Sequence, residues 1–195
     1  MSGDRFRHNE HSLRVVDELE HDGEGLNLTV EVRDGILNHT GAEEPSTLEG
    51  KVVRIVDRVA YLNHDIDDAI RAGVLSAGNL PVGAIQLLGD TGAKRIDTLV
   101  HDLVETSAVA GDIVQSETIG TAMLSLRSFM FDEVYLGAFA QHERKHATEV
   151  VQKIFCHLVE HPSEIPDERS GDVLQRATDY VAGMTDRFAM TWGSA

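Results

Sequence analysis

The chain has 195 residues, 42% of them hydrophobic, which is enough to bury one sizeable core and leads to the expectation of a single domain over 1–195. Thirty-three acidic residues against 17 basic ones leave a formal net charge of −16, which argues against nucleic acid as a partner because phosphate binding draws on clustered cations. The one cysteine, Cys156, excludes an intrachain disulfide; set among Val151, Ile154, Phe155 and Leu158, it reads as a small buried hydrophobe in a reducing, cytoplasmic protein.

Apolar residues recur at three- and four-residue spacing and alternating β-branched runs are scarce, so an all-α fold is expected. The polar start, residues 1–10, does not read as a signal peptide, and no run of roughly eighteen apolar residues supplies a membrane anchor. A first helix is expected from 11 to 20, with Leu13, Val16 and Leu19 on one side and a break at Gly23 and Gly25. A second runs from 29 to 37. After a polar linker containing Pro45, Ser46 and Glu49 have capping-box spacing, so a long helix should start there and reach Arg71. Further helices are expected over 93–108, 118–131, 138–160 and 173–189. His161-Pro162 marks a helix end, and Pro166, inside the acidic stretch 164–168, marks a turn before the last helix. Short connections imply antiparallel packing, and no repeat or low-complexity tract is present.

The most informative stretch runs from 53 to 68. On a helix, Asp57, Tyr61 and Asp65 fall at i, i+4 and i+8 along one face, with His64 beside them. The stripe Val52, Ile55, Val56, Val59, Leu62 and Ile66 occupies a neighbouring face. Periodicity alone fits a solvated polar face as readily as a pocket wall, so spacing does not decide between them.

Asp57-x-x-x-Tyr61-x-x-x-Asp65, within Ala60-Tyr61-x-x-His64-Asp65-x-x-Asp68-Ala69, resembles the deoxyguanosine triphosphatase-like family of the HD-domain superfamily. Supporting matches are the run from Phe6 to Val16, Gly25-Leu26-Asn27-Leu28-Thr29, Gly35-Ile36-Leu37, Phe129-Met130-Phe131, and the run from Asp179 to Arg187. The resemblance implies an HD-domain-like helical bundle that hydrolyses a deoxynucleoside triphosphate to deoxynucleoside and inorganic triphosphate with one divalent metal, Mg²⁺ or Mn²⁺. Family members commonly form homo-oligomers. By motif, Asp57 matches a metal-ligating aspartate, while Tyr61 and Asp65 match groups at the deoxyribose 3′-hydroxyl. His8 matches a phosphate-contacting histidine of the catalytic site and Arg58 a basic position near the triphosphate. The residue types suit these roles: a carboxylate holds a hard cation, and a ring packed on the sugar leaves little room for a 2′-hydroxyl.

The family's other metal ligands, a histidine and an adjacent His-Asp pair, precede the motif around His8, and this chain starts almost at that motif. It therefore reads as the carboxy-terminal part of such an enzyme, amino-terminally truncated, with most metal ligands missing and activity of the isolated chain in question. The alternative is a noncatalytic nucleotide-binding or oligomerisation module. The pairs His21-Asp22, His64-Asp65 and His101-Asp102 lie on the wrong side of the motif to supply the missing ligands.

A rival constellation is His142-Glu143-Arg144-Lys145-His146, which has the i, i+4 histidine spacing of a zinc metallopeptidase helix. Its Arg and Lys suit a salt-bridged surface helix better than a buried zinc helix, and no third ligand follows by spacing. Gly89 to Lys94 only superficially suggests a phosphate loop and reads as a helix-start turn; a nucleophilic-serine signature is absent.

Overall fold

The structure, a computed structural model, describes residues 5–166 and 171–192, without the side chains of residues 138–140 and of His142. Residues 1–4 of the polar start and Asp167 and Glu168 of the acidic stretch lie outside the described residues. The described residues form helices and connecting turns and contain no strand, as the all-α expectation requires. None of these helices is long and apolar enough to cross a membrane. Where one domain was expected, the chain divides into two compact units, Met1–Gly137 and Ala138–Ala195.

In the first unit, α1 spans His8–Arg14 and continues as a π-helical turn, Val15–Leu19. Leu26 N–H bonds back to Val16 O at 2.7 Å, which brings the chain so close at Gly25 that a Cβ there would lie 2.3 Å from Asp17 O. Only glycine fits this turn, at φ +72°. Helix α2, Val30–Asn38, is capped by the Thr29 hydroxyl and packs on both α1 and α3.

Helix α3, Leu48–Arg71, is the spine of the unit. Its cap is Thr47, whose Oγ1 accepts from Gly50 N–H at 3.1 Å. Ser46, expected as the cap, instead donates through its N–H and hydroxyl to Asp34 Oδ2 at 2.7 and 2.8 Å. These bonds hold the Asp34 carboxyl below the usual carboxylate range, the backbone bond contributing most. The loop after α2 is tied down by Arg54, whose guanidinium donates to the carbonyls of Asn38, Gly41 and Glu43 at 2.7 Å each.

Helices α4 (Val82–Leu88), α5 (Gly92–Ala110) and α6 (Glu117–Met130) complete the unit. Thr91 caps α5 through Lys94 N–H, so residues 89–94 form a helix-start turn, while Gly111, at φ +69°, ends α5 in the left-handed conformation. Val59, Leu62 and Ile66 of α3 meet Leu88, Leu99, Leu126 and Met130 in one core. Inside it lies a side chain the apolar pattern does not predict. Arg95, 1% exposed, donates from Nε to Asn63 Oδ1 at 2.7 Å and from Nη2 to Asp67 Oδ1 at 3.2 Å, and Asn63 Nδ2 donates to Val59 O at 2.7 Å. The guanidinium is thus bonded through Nε and Nη2, one partner being a carboxylate, and such pairing is the condition for burying a charge.

The amino-terminal half of the α3 stripe is not part of this core. Val52 and Val53 are 36% and 51% exposed, and Val53 with Val32 edges a groove of about 440 Å³ bordered by Gly35, His39 and Thr47.

The second unit comprises α7 (Ala138–Glu160), α8 (Val173–Ala182) and α9 (Asp186–Trp192), with α8 and α9 both packed on α7. Its buried cluster is Ile154, Leu158, Ile165 and Ala177. Cys156 is exposed rather than buried. Ile154 and Leu158 are one helical repeat apart and face the core together, and the position midway between them turns roughly 200° away. The single last helix expected over 173–189 is two, broken at Gly183 and restarted by Thr185, whose Oγ1 accepts from Phe188 N–H.

Candidate functional site

The α3 row and a second row of polar and aromatic residues come together in the first unit. Arg127 on α6, and Phe131 and Tyr135 in the π-helical turn Phe131–Tyr135 that follows, recur at i, i+4 and i+8, matching the spacing of Asp57, Tyr61 and Asp65. Arg127 Nε donates to the Tyr61 hydroxyl at 2.9 Å, and the Tyr135 hydroxyl donates to Asp65 Oδ2. The Arg127 guanidinium also lies over the Phe131 ring, 4.6 Å from its centroid, and that ring meets Tyr135 edge-on at 5.0 Å. Tyr61, Asp65, Arg127 and Tyr135 are half-buried, while Phe131 is exposed at one side. Burial, and then the hydrogen bond to Asp65, push the Tyr135 hydroxyl above the ordinary phenol range, so it stays protonated and donating at neutral pH.

The result is a small array of positioned groups: a guanidinium held by a ring and a hydroxyl, a carboxylate held by a phenol, and aromatic rings beside them. Such a set can address a hydroxylated, anionic ligand through hydrogen bonds in defined directions.

Two of the residues singled out by sequence, Tyr61 and Asp65, are thus joined through α6 and the turn after it. Asp57, one turn earlier, is exposed and makes no hydrogen bond or ion pair among the described residues. Arg58 is half-buried on the neighbouring side of α3, and His64 is exposed. His8 is exposed at the start of α1, and its Nε2 lies 3.2 Å from His39 Nε2, whose own Nδ1 faces Ile36 O at 2.7 Å. His8 therefore pairs with the end of α2. Arg127 and Tyr135 escaped the sequence reading, although Phe129-Met130-Phe131 between them was noted; the signal available was the repeated four-residue spacing.

Asp57 does not make a metal centre with the groups present. A hard divalent cation needs several convergent oxygen or nitrogen ligands, and among the described residues the one cluster of three possible ligands lies in the second unit and excludes Asp57. His21 and His101 are exposed; His101 Nδ1 faces Asp97 O at 2.9 Å, and Asp102 accepts from Ser116 N–H at 3.0 Å. His146 is exposed on α7, where Lys145 and Glu149 form an i, i+4 pair at 4.0 Å. The side chain of His142, the other half of the metallopeptidase pattern, lies outside the described residues.

Comparison with known proteins bears on both units. Residues 113–195 match a family model described as a phosphohydrolase-associated domain. A protein of Caldanaerobacter subterraneus subsp. tengcongensis is 47% identical over 190 residues, covering 95% of this chain and 56% of that protein. One from Clostridium perfringens strain 13 is 46% identical over 198 residues, covering 94% and 58%, and one from Bordetella pertussis is 30% identical over 242 residues, covering 95% and 63%. Each is named a deoxyguanosinetriphosphate triphosphohydrolase-like protein. The chain spans a little over half the length of the first two relatives. With identity running across nearly all of its residues, the chain is similar, over part of their length, to proteins named deoxyguanosinetriphosphate triphosphohydrolase-like.

Proposed function

We propose that the chain carries the sugar- and phosphate-facing wall of a deoxynucleoside triphosphate triphosphohydrolase, which converts a deoxynucleoside triphosphate and water to deoxynucleoside and inorganic triphosphate. The observation that carries this reading is the linked pair Arg127–Tyr61 and Tyr135–Asp65, because it sets a cation, a carboxylate and two phenols on one wall beside Asp57. In this reading Asp65 and Tyr61 take the deoxyribose, the Tyr61 ring leaving little room for a 2′-hydroxyl. Arg127 and Arg58 offset phosphate charge. A guanidinium fits this task because its planar donors match phosphate oxygens and it keeps its charge at all working pH values.

The reaction belongs to the longer protein. A divalent ion, Mg²⁺ or Mn²⁺, would polarise the phosphoryl oxygens and acidify a water when bound, and Asp57 would be one ligand among several. The other ligands would come from residues beyond this chain, packed against the open groove beside Val32 and Val53. His8 would then turn from His39 toward phosphate. A cytoplasmic, homo-oligomeric protein fits this role.

The test is release of inorganic triphosphate, separated by ion exchange, with Mg²⁺ or Mn²⁺ present. A protein extended to the relatives' full length should hydrolyse deoxynucleoside triphosphates, Asp57→Ala should abolish this, and His146→Ala should leave it intact. The isolated chain should be inactive or nearly so. Asp57-independent hydrolysis by the isolated chain would move the catalytic centre elsewhere. The second reading, a noncatalytic nucleotide-binding module, is favoured by the isolation of Asp57; it requires nucleotide binding without hydrolysis even in the extended protein.

A further inference from the structure

The end of α7 brings together side chains that the site in the first unit does not use. His157 and His161 are one helical repeat apart and their rings stack at 4.3 Å. Helix α7 stops at Glu160, and the short 3₁₀ turn Pro162–Glu164 folds the chain back so that Glu164 Oε2 lies 2.9 Å from His157 Nε2. One ligand atom from each of His157, His161 and Glu164 lies within 4.8 Å of the others. We propose that these three residues bind a divalent transition-metal ion, Zn²⁺ or an ion of similar ligand preference such as Ni²⁺ or Cu²⁺. The proposal is independent of the triphosphohydrolase reading.

Four features support it. First, a zinc ion takes nitrogen and oxygen ligands at roughly 2.0–2.2 Å, which sets tetrahedral ligands somewhat over 3 Å apart. Partly exposed side chains already within 4.8 Å of one another reach that spacing by small rotations. Second, His161 Nδ1 lies 3.1 Å from His157 O; donation from Nδ1–H fixes the tautomer that leaves a lone pair on Nε2. Third, the cluster sits at the carboxyl end of a 23-residue helix, where the unpaired carbonyls favour a cation. Fourth, two imidazoles and one carboxylate are the ligand set of open zinc sites with water in the remaining position, and they prefer Zn²⁺, Ni²⁺ and Cu²⁺ to Mg²⁺. In the metal-free state the His157–Glu164 bond holds two of the ligands in place. A bound ion would replace that bond and tie the end of α7 to the segment leading into Ile165, which is 4% exposed in the core of the second unit.

The chain carries its own reporter. Trp192, its single tryptophan, meets the His157 ring edge-on with centroids 5.1 Å apart. Titrating the tag-free, chelator-stripped chain with Ni²⁺ or Cu²⁺ should quench Trp192 fluorescence, saturating at one ion per chain. Added Zn²⁺ should reverse the quenching by competition, and Mg²⁺ should do neither. Because His157→Ala also removes the ring packed on Trp192, the decisive variants are H161A and E164Q, whose side chains are exposed. Each should weaken the ion by more than about tenfold, the low end of what losing even an outer-shell partner costs. Zn²⁺ should also raise the melting temperature read from Trp192 in the parent chain and not in H161A. Quenching that survives both substitutions, fails to reverse with Zn²⁺, or appears equally with Mg²⁺ would overturn the proposal.

Discussion

The two units reach a folded state with very different cores. Among the described residues the first gathers thirteen buried apolar side chains in one cluster and still encloses the guanidinium of Arg95, whereas the second gathers four. A large core can hold a charge if its partners come with it, because the surrounding apolar burial offsets the desolvation. A small one has little margin, and units of this size tend to depend on an added cross-link. The contrast locates the consequences of mutation: polar partners matter most in the first unit, apolar volume and the histidine cluster in the second.

The largest expected effect is at Asn63. Asn63→Leu removes the acceptor of Arg95 Nε and leaves that buried, charged donor with only the Asp67 bond on the same guanidinium, so urea unfolding should show a loss of about 3 kcal/mol or more; a loss below about 1 kcal/mol would mean that the guanidinium is solvated. Next is Leu158→Ala in the small core, at about 2–5 kcal/mol for a buried leucine. Here Trp192 fluorescence should lose its transition at lower urea while most of the helical circular dichroism persists, if the two units unfold separately. A single coincident transition would break the comparison.

Smaller effects probe the site wall and the caps. Tyr135→Phe deletes the O–H that Asp65 accepts and should destabilise the first unit by about 1–2 kcal/mol in thermal unfolding, with Asp65→Asn adding little on top, since the two changes remove one bond. Thr47→Ala should cost about 1 kcal/mol through loss of the α3 cap, while Ser46→Ala leaves the cap and loosens only the Asp34 contact. The smallest effect is one of pH. Because the folded state holds the Asp34 carboxyl below its unfolded value, its contribution is present above the ordinary carboxylate pKa and is lost as pH falls through the lowered value. Acid unfolding below about pH 4 should therefore be slightly less steep in Asp34→Asn.

Much of the candidate site was legible because its α3 half obeys a helical period: Asp57, Tyr61 and Asp65 share a face whenever that segment is helical. The partners were not, since Arg127 lies 66 residues from Tyr61 and Tyr135 lies 70 from Asp65, and no local rule links such positions. The pairing of His8 with His39 was hidden for the same reason, at 31 residues' separation. Ser46 and Thr47 both carry hydroxyls suited to capping; Asp34 decides between them by engaging Ser46.

By itself the sequence determined the elements whose cause is local. The four-residue periodicity produced α3, α5 and α7 nearly to their ends, the glycines closed the turn after α1, and the family motif in α3 was readable in place. Tertiary structure decided what local rules leave open. It put Arg95 in the core because Asn63 and Asp67 arrive there from another helix. It turned Cys156 outward because Ile154 and Leu158 compete for the one buried face of α7. It closed the His157–Glu164 pair by folding the chain back at Pro162, since a helix carries its seventh residue onward along its axis and a turn returns it.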